Sequence, residues 1–311
     1  MKDRYRKQVA LLIRILPSVY GIKEFAIHGG TAINLFHKDM PRYSVDIDIT
    51  YIPIEDRAAS LSTINQRLIE LKRSIERSIP GISVVHKPDV WKLLCTHDAA
   101  TVKIEVNGTK RGIIGDTMDM PLCEKARSEF SMGCMARTVS FSQLYGGKVV
   151  AALSRQHPRD LFDCKYMDVK SFTDIKDGFM LCMLGSDRPM IETLHPNVID
   201  QAVALENQFS GMTDIPFGYD DYISVREYLV HWVNENLDDR DKEFLLSFES
   251  GTPDWSKCSS GDLSAYPSVQ WKLLNISRLR SGNPKKHDEG IAKLKADLWV
   301  KLQDGTSLYP A

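Results

Sequence analysis

Two aspartates set the chemistry open to this chain. In Arg42-Tyr43-Ser44-Val45-Asp46-Ile47-Asp48-Ile49 a strand would turn Val45, Ile47 and Ile49 toward a core and leave Ser44, Asp46 and Asp48 on the other face. Carboxylates two residues apart on one face, roughly 6 to 7 Å apart at Cα, repel each other unless a cation sits between them. Hard divalent ions such as Mg²⁺ take such oxygens. Just upstream, Phe25-Ala26-Ile27-His28 reads as a buried strand that feeds Gly29-Gly30-Thr31 and the helix-like Ala32-Ile33-Asn34-Leu35-Phe36. Backbone amides at a helix start favour anions, and glycine lets a phosphate come close. Taken singly, a Gly-Gly pair is a tight turn and Asp-x-Asp a solvated strand face. Together they offer a phosphate cradle beside a metal-binding acidic pair.

In this order and spacing the stretch resembles the polymerase-beta-type nucleotidyltransferases. It is most similar to the AbiEii/AbiGii toxin family, also called MenT-like toxins, whose pattern is a Gly-Gly-Thr/Ser turn followed by Arg-x-Ser-x-Asp-hydrophobic-Asp. A second segment of the family pattern, a helix lysine followed by Arg-Asp-hydrophobic-x-Asp, is matched by Lys148 and by Arg159-Asp160-Leu161-Phe162-Asp163. The resemblance spans Phe25 to Asp163. It implies an α+β fold: a polymerase-beta-like nucleotidyltransferase domain (mixed sheet flanked by helices) over residues 1–140, then a mostly helical domain over 141–311 that contributes Lys148 and Asp163 to the site.

The same resemblance implies the roles. Asp46, Asp48 and, on a neighbouring strand, Glu105 would hold two Mg²⁺ ions, with Mn²⁺ as the alternative. Gly29, Gly30, Thr31, Arg42, Ser44, Lys148 and Arg159 would bind the nucleotide, and Asp46, Asp48, Lys148 and Asp163 would form the catalytic set. The implied activity is that of a toxin moving a nucleoside monophosphate from an NTP to an RNA acceptor, the tRNA 3′ end in the family, with release of pyrophosphate. Its antitoxin would be encoded separately. Three alternatives stay open from the residues: transfer to a Ser, Thr or Tyr of a partner protein, transfer to a small molecule, and an idle nucleotide-binding scaffold.

These residues need elements to hold them. Arg4 to Val19 has a helical apolar period closed by Pro17 and Gly21, and Ile54 to Ile79 reads as a long amphipathic helix whose polar face bears Arg67, Lys72, Arg73 and Arg77. That face is solvated or else a phosphate-backbone patch. Ile82 to Val85, Val90 to Cys95 and Thr101 to Val106 read as strands, the last two as a hairpin through Thr96–Ala100, with Glu105 facing away from the core. Lys110 to Ser131 reads as loop with a short helix at 123–130, and Cys134 to Val139 as a further strand. Helices are expected at 141–156 and 158–169. Beyond them come 172–184, 198–209, 223–236, 241–249, 269–278 and 289–302, and near the end Arg278, Arg280, Lys285 and Lys286 form a second basic cluster.

Composition narrows the classes. A formal net charge of -1 over 311 residues gives no global basic field, so any RNA contact must be local. No apolar run approaches the roughly 18 to 20 residues of a membrane span, and Arg14 interrupts the apolar segment after the basic start. Six scattered cysteines without a Cys-x-x-Cys pair favour reduced thiols and a cytoplasmic protein.

Overall fold

A computed structural model describes residues 2–299. The described residues fold into two compact units, one of residues up to 140 with 207–216, the other of 141–206 with the residues from 217 on.

The first unit opens with α1 (Lys2–Tyr20), β1 (Phe25–His28) and α2 (Gly29–Ala32), which widens into a π-type turn over Ile33–His37. There follow β2 (Asp46–Tyr51), α3 (Arg57–Ser78), β3 (Ser83–Lys87), β4 (Lys92–His97), β5 (Ala100–Val106), β6 (Met118–Pro121), α4 (Glu124–Phe130) and β7 (Met135–Thr138). The seven strands form one sheet in the order β3-β4-β5-β2-β1-β7-β6. The sheet is mixed: β2 runs parallel to β5 and β1 parallel to β7, while β1–β2, β3–β4, β4–β5 and β6–β7 are antiparallel. Val9, Leu12, Ile13 and Leu16 of α1 and Ile64, Leu68, Leu71 and Ile75 of α3 are buried with Ile47, Ile49, Leu93, Val102 and Ile104 of the strands. Each such side chain contributes roughly 1.5 to 3 kcal/mol of transfer free energy. The first helix runs through Pro17 to Tyr20 rather than closing there; the proline sits in the last turn, where one lost backbone bond costs least.

The second unit is helical: α5 (Phe141–Arg155), α6 (Pro158–Lys165), α7 (Lys176–Leu184), α8 (Ile191–Leu194), α9 (Ala202–Ala204), α10 (Tyr219–Asn236), α11 (Asp239–Glu249), α12 (Pro267–Gly282) and α13 (Pro284–Leu298). Its core gathers Leu144, Tyr145, Val149 and Leu153 with Phe179, Met180, Met183 and Leu184. The helix expected over 198–209 starts only at Ala202, and α9 runs directly into a π-type helical turn over Leu205–Phe209. Val198 and Val203 are 73% and 72% exposed while Ala204 and Phe209 are buried, so only the later part of the stretch turns a face to the core. The helix expected at 158–169 stops at Lys165, and the one expected at 289–302 begins at Pro284; residues 300–302 lie outside the described part.

Candidate active site

In the first unit the aspartates stand at the end of β2, where the chain of β1 turns into α2. The antiparallel register sets Asp48 opposite His28, and the parallel register on the other side sets Asp46 beside Lys103 and Asp48 beside Glu105. Ile47 and Ile49 are fully buried while Asp46 and Asp48 are partly exposed, as strand alternation requires. Gly29 has φ +69°, and a Cβ there would lie 2.9 Å from Asp48 Oδ2. Only glycine satisfies both the left-handed backbone and that contact. A Cβ on Gly30 would lie 2.7 Å from Arg42 Nη2 and 2.9 Å from Ser44 Oγ. The turn is thus pressed against the acidic strand.

Hydrogen bonds hold it there. Thr31 Oγ1 donates to the Asp46 carbonyl at 2.5 Å and lies 3.0 Å from Ser44 Oγ. With one proton on its hydroxyl, Thr31 shares it between the Asp46 carbonyl and Ser44 Oγ. Thr31, Arg42 and Ser44 are all buried, so these three side chains shape the turn, and its backbone N–H groups are the donors left to a phosphate. Asn34, which sequence reasoning did not single out, is fully buried and accepts from the Arg42 amide at 3.3 Å while donating to the Gly30 carbonyl at 3.0 Å. A lone amide inside Ala32-Ile33-Asn34-Leu35-Phe36 was the available signal. The loop after α2 is fastened by the returning segment: the Tyr43 amide donates to the Met212 carbonyl and the Thr213 hydroxyl to the Pro41 carbonyl, both at 2.7 Å, and Lys2 Nζ meets Asp214 at 2.6 Å. A cavity of about 240 Å³ lies between these walls, lined by Arg6, Tyr43, Lys125 and Glu129 among others. Burial and the Glu129 carboxylate, which accepts from the Tyr43 hydroxyl at 2.6 Å, push the Tyr43 phenol up.

Glu105 shares the aspartates' sheet face but is held by two lysines, Lys103 at 2.9 Å and Lys92 at 3.0 Å. Burial raises its carboxyl, yet the two ammonium groups outweigh that and hold it below the usual range. Burial likewise lowers the Lys103 amine, and Glu105, Asp46 and Asp48 more than reverse this. Three carboxylates on one face are the hard oxygen donors that a divalent ion takes, so the donor set fits such an ion in kind. Among the described residues no three His, Cys, Asp or Glu side chains form a ready-made cage; Glu105 would have to exchange a lysine for the ion. On α3, Arg67 is bound to Glu24 and Glu70 and Lys72 to Glu76 and the Val84 carbonyl, which ties up half of that basic face.

The second unit carries the other motif. Pro158 starts α6, capped by His157, whose Nδ1 accepts from the Arg159 amide at 3.2 Å. One turn apart on that helix, Asp160 and Asp163 both grip Lys148 of α5, at 3.0 and 2.9 Å, and all three side chains are at most 8% exposed. Arg155 closes on Asp160 at 2.8 Å. Burial raises the Asp160 carboxyl, but Lys148 and Arg155 outweigh it and the net shift is downward. Asp160 was not singled out from sequence, although its three-residue spacing from Asp163 puts both on one face. Arg159 is half-buried beside this cluster in sequence.

A family model described as nucleotidyl transferase AbiEii toxin of type IV toxin–antitoxin systems matches residues 10–273. The chain belongs to the AbiEii family. It is therefore a nucleotidyltransferase enzyme of the toxin–antitoxin class, with a nucleotide as substrate and an antitoxin as a separate component of its system. Among solved structures the AbiEii chain is similar in fold to MenT4, a nucleotidyltransferase toxin from Mycobacterium tuberculosis H37Rv, at 12% identity and a TM-score of 0.59, over 88% of this chain and 93% of that one. No curated protein matches it in sequence. No helix among the described residues is long and apolar enough to cross a membrane.

Proposed function

We propose that this AbiEii-family enzyme transfers a nucleoside monophosphate from an NTP to the 3′ hydroxyl of an RNA, with the tRNA 3′ end as acceptor. The reading is carried by one observation: the Gly29-Gly30 turn is in contact with the strand that bears Asp46 and Asp48. In the reaction the acceptor oxygen bonds to the α-phosphorus, the bond from that phosphorus to the bridging oxygen breaks, and pyrophosphate leaves with its electron pair. The hydroxyl proton passes to solvent.

Asp46 and Asp48, with Glu105 as third ligand, would hold Mg²⁺. Bound there, the ion would supply charge neutralisation of the phosphates and a lowered pKa for the attacking hydroxyl. The chain's own groups do the placing. Backbone amides of the Gly29–Thr31 turn receive the outer phosphates, while Arg42, Ser44 and Asn34 keep that turn from relaxing away from the strand. Lys148, Arg159 and Asp163 are assigned to the nucleotide on the strength of their motif.

The test is incubation of cell extract with labelled NTPs, separation of RNA from protein, and sequencing of RNA 3′ ends. Label should enter RNA 3′ ends with the wild type and not with Asp48→Ala, which should fold normally because its side chain faces away from the core. Label confined to protein, or transfer by Asp48→Ala at the wild-type rate, overturns the proposal.

A further inference from the structure

The catalytic reading leaves one charged feature of the second unit unused. Between Arg278 and Lys286, where α12 turns into α13, the chain has four Arg/Lys and no Asp/Glu, against a net charge of -1 for the whole protein. All four are exposed, and the neighbouring carboxylate of Glu289 comes only within 4.0 Å of Lys285. Lys285 and Lys286 occupy the first turn of α13, the end at which the helix dipole disfavours cations. Local stability does not account for placing them there.

A cavity of about 200 Å³ opens beside this tip, lined by Trp271, Asn275, Lys272, Ser186, Ser268 and Glu249 among others. Arg278 lies over the Trp271 ring at 5.7 Å and so joins the tip to the cavity wall. Trp271 is 41% exposed. The volume falls below the roughly 300 to 1,000 Å³ of sites for whole small-molecule ligands and suits a single planar ring system. Glu249 is one of the residues lining the cavity, and its Oε2 is buried without a hydrogen-bond partner among the described residues. Burial also raises the Glu249 carboxyl, only partly offset by Lys272 and His287.

We infer that the α12–α13 tip and this cavity bind single-stranded RNA, phosphates on Arg278, Arg280, Lys285 and Lys286 and one base against Trp271. Aromatic stacking combined with a basic track is how single strands are held without a sequence code. The inference extends the RNA-acceptor reading above but stands on residues remote in sequence from the catalytic motifs.

The test is fluorescence anisotropy of a labelled, unstructured single-stranded RNA with the full-length protein across a salt series. Replacing Arg280, Lys285 and Lys286 together by Gln should flatten the slope of log affinity against log salt by about 2, at about 0.7 per cation, with an unchanged melting temperature. Trp271→Ala should cost roughly 5- to 150-fold in affinity and leave the slope as it was. Wild-type affinity and slope in both variants overturn the inference. So does a wild type that binds phosphatidylserine vesicles or polyglutamate as tightly as RNA. Failure of the catalytic reading is separable: label entering only protein, with RNA binding still dependent on the tip, removes the RNA acceptor and leaves this site standing.

Discussion

Lys148→Met tests the arrangement in the second unit most directly. The ammonium it removes lies 3.0 Å from Asp160 and 2.9 Å from Asp163, whose side chain is fully buried. Removing one partner from a buried ion pair costs about 3 to 5 kcal/mol, because the other charge is left in a poor solvent. Arg155 remains on Asp160 but is 60% exposed, so its compensation is screened and small. In a unit of this size, 1 kcal/mol moves the melting temperature by about 2 to 4 °C, which gives an expected drop on the order of 10 °C at pH 7. Adding Asp163→Asn should return much of it, a coupling that a double-mutant cycle reads directly. In the wild type the Asp160 carboxyl, held below its unfolded value near 3.8, keeps its stabilising contribution above that pH and loses it only as pH falls through the lower folded value. In the variant the buried carboxylates, without the ammonium, take up protons more readily than in the wild type, so the gap between the two should narrow as pH falls. A loss under about 1 kcal/mol, or no recovery in the double variant, would refute the reasoning. The same cost means that inactivity of Lys148→Met counts as catalytic only when measured where the variant is still folded.

Two other perturbations act in the first unit. Gly30→Ala puts a methyl 2.7 Å from Arg42 Nη2 and 2.9 Å from Ser44 Oγ; overpacking of this kind costs about 1 to 3 kcal/mol. Because it pushes the turn off β2, it should raise the KM for NTP, and wild-type kinetics and melting would contradict the close packing. Burial lowers the His37 imidazole from 6.5 to about 4. The unfolded chain takes up that proton first as pH falls, so stability is full above about pH 6.5 and declines toward pH 4 by up to about 3 kcal/mol. His37→Gln should flatten that window in urea titrations; an unchanged pH profile would clear His37 of the effect.

What could be read from the sequence was what local pattern determines. The alternation through Asp46-Ile47-Asp48-Ile49, the long apolar period of α3 and the β4–β5 hairpin all appear in the fold, since each is set by burial of one face. Strand β6, by contrast, is Met118-Asp119-Met120-Pro121, without a β-branched residue and with a proline; pairing with β7 makes it a strand. Helix α5 ends at Arg155, and the next residue, Gln156, takes φ +50°, where a glycine would have announced the stop. In the candidate site the carboxylates and glycines were legible because their chemistry is written in type and spacing. Asn34 and Asp160 were not, because their importance lies in partners brought near by folding. The two lysines on Glu105 were hidden for the same reason: Lys92 reaches it across the β4–β5 register.

The route of residues 207–216 constrains how this enzyme could be taken apart. The polypeptide leaves the first unit at Ser140, comes back for ten residues and departs again at Phe217. A fragment ending at Ser140 would leave the Tyr43 amide and Pro41 carbonyl without Met212 and Thr213, next to the bend that carries Arg42. No single cleavage therefore liberates an intact sheet half, and a gene fusion that borrowed only the first 140 codons would inherit the aspartates with a loosened floor. Recombination between relatives should keep both passages from one parent.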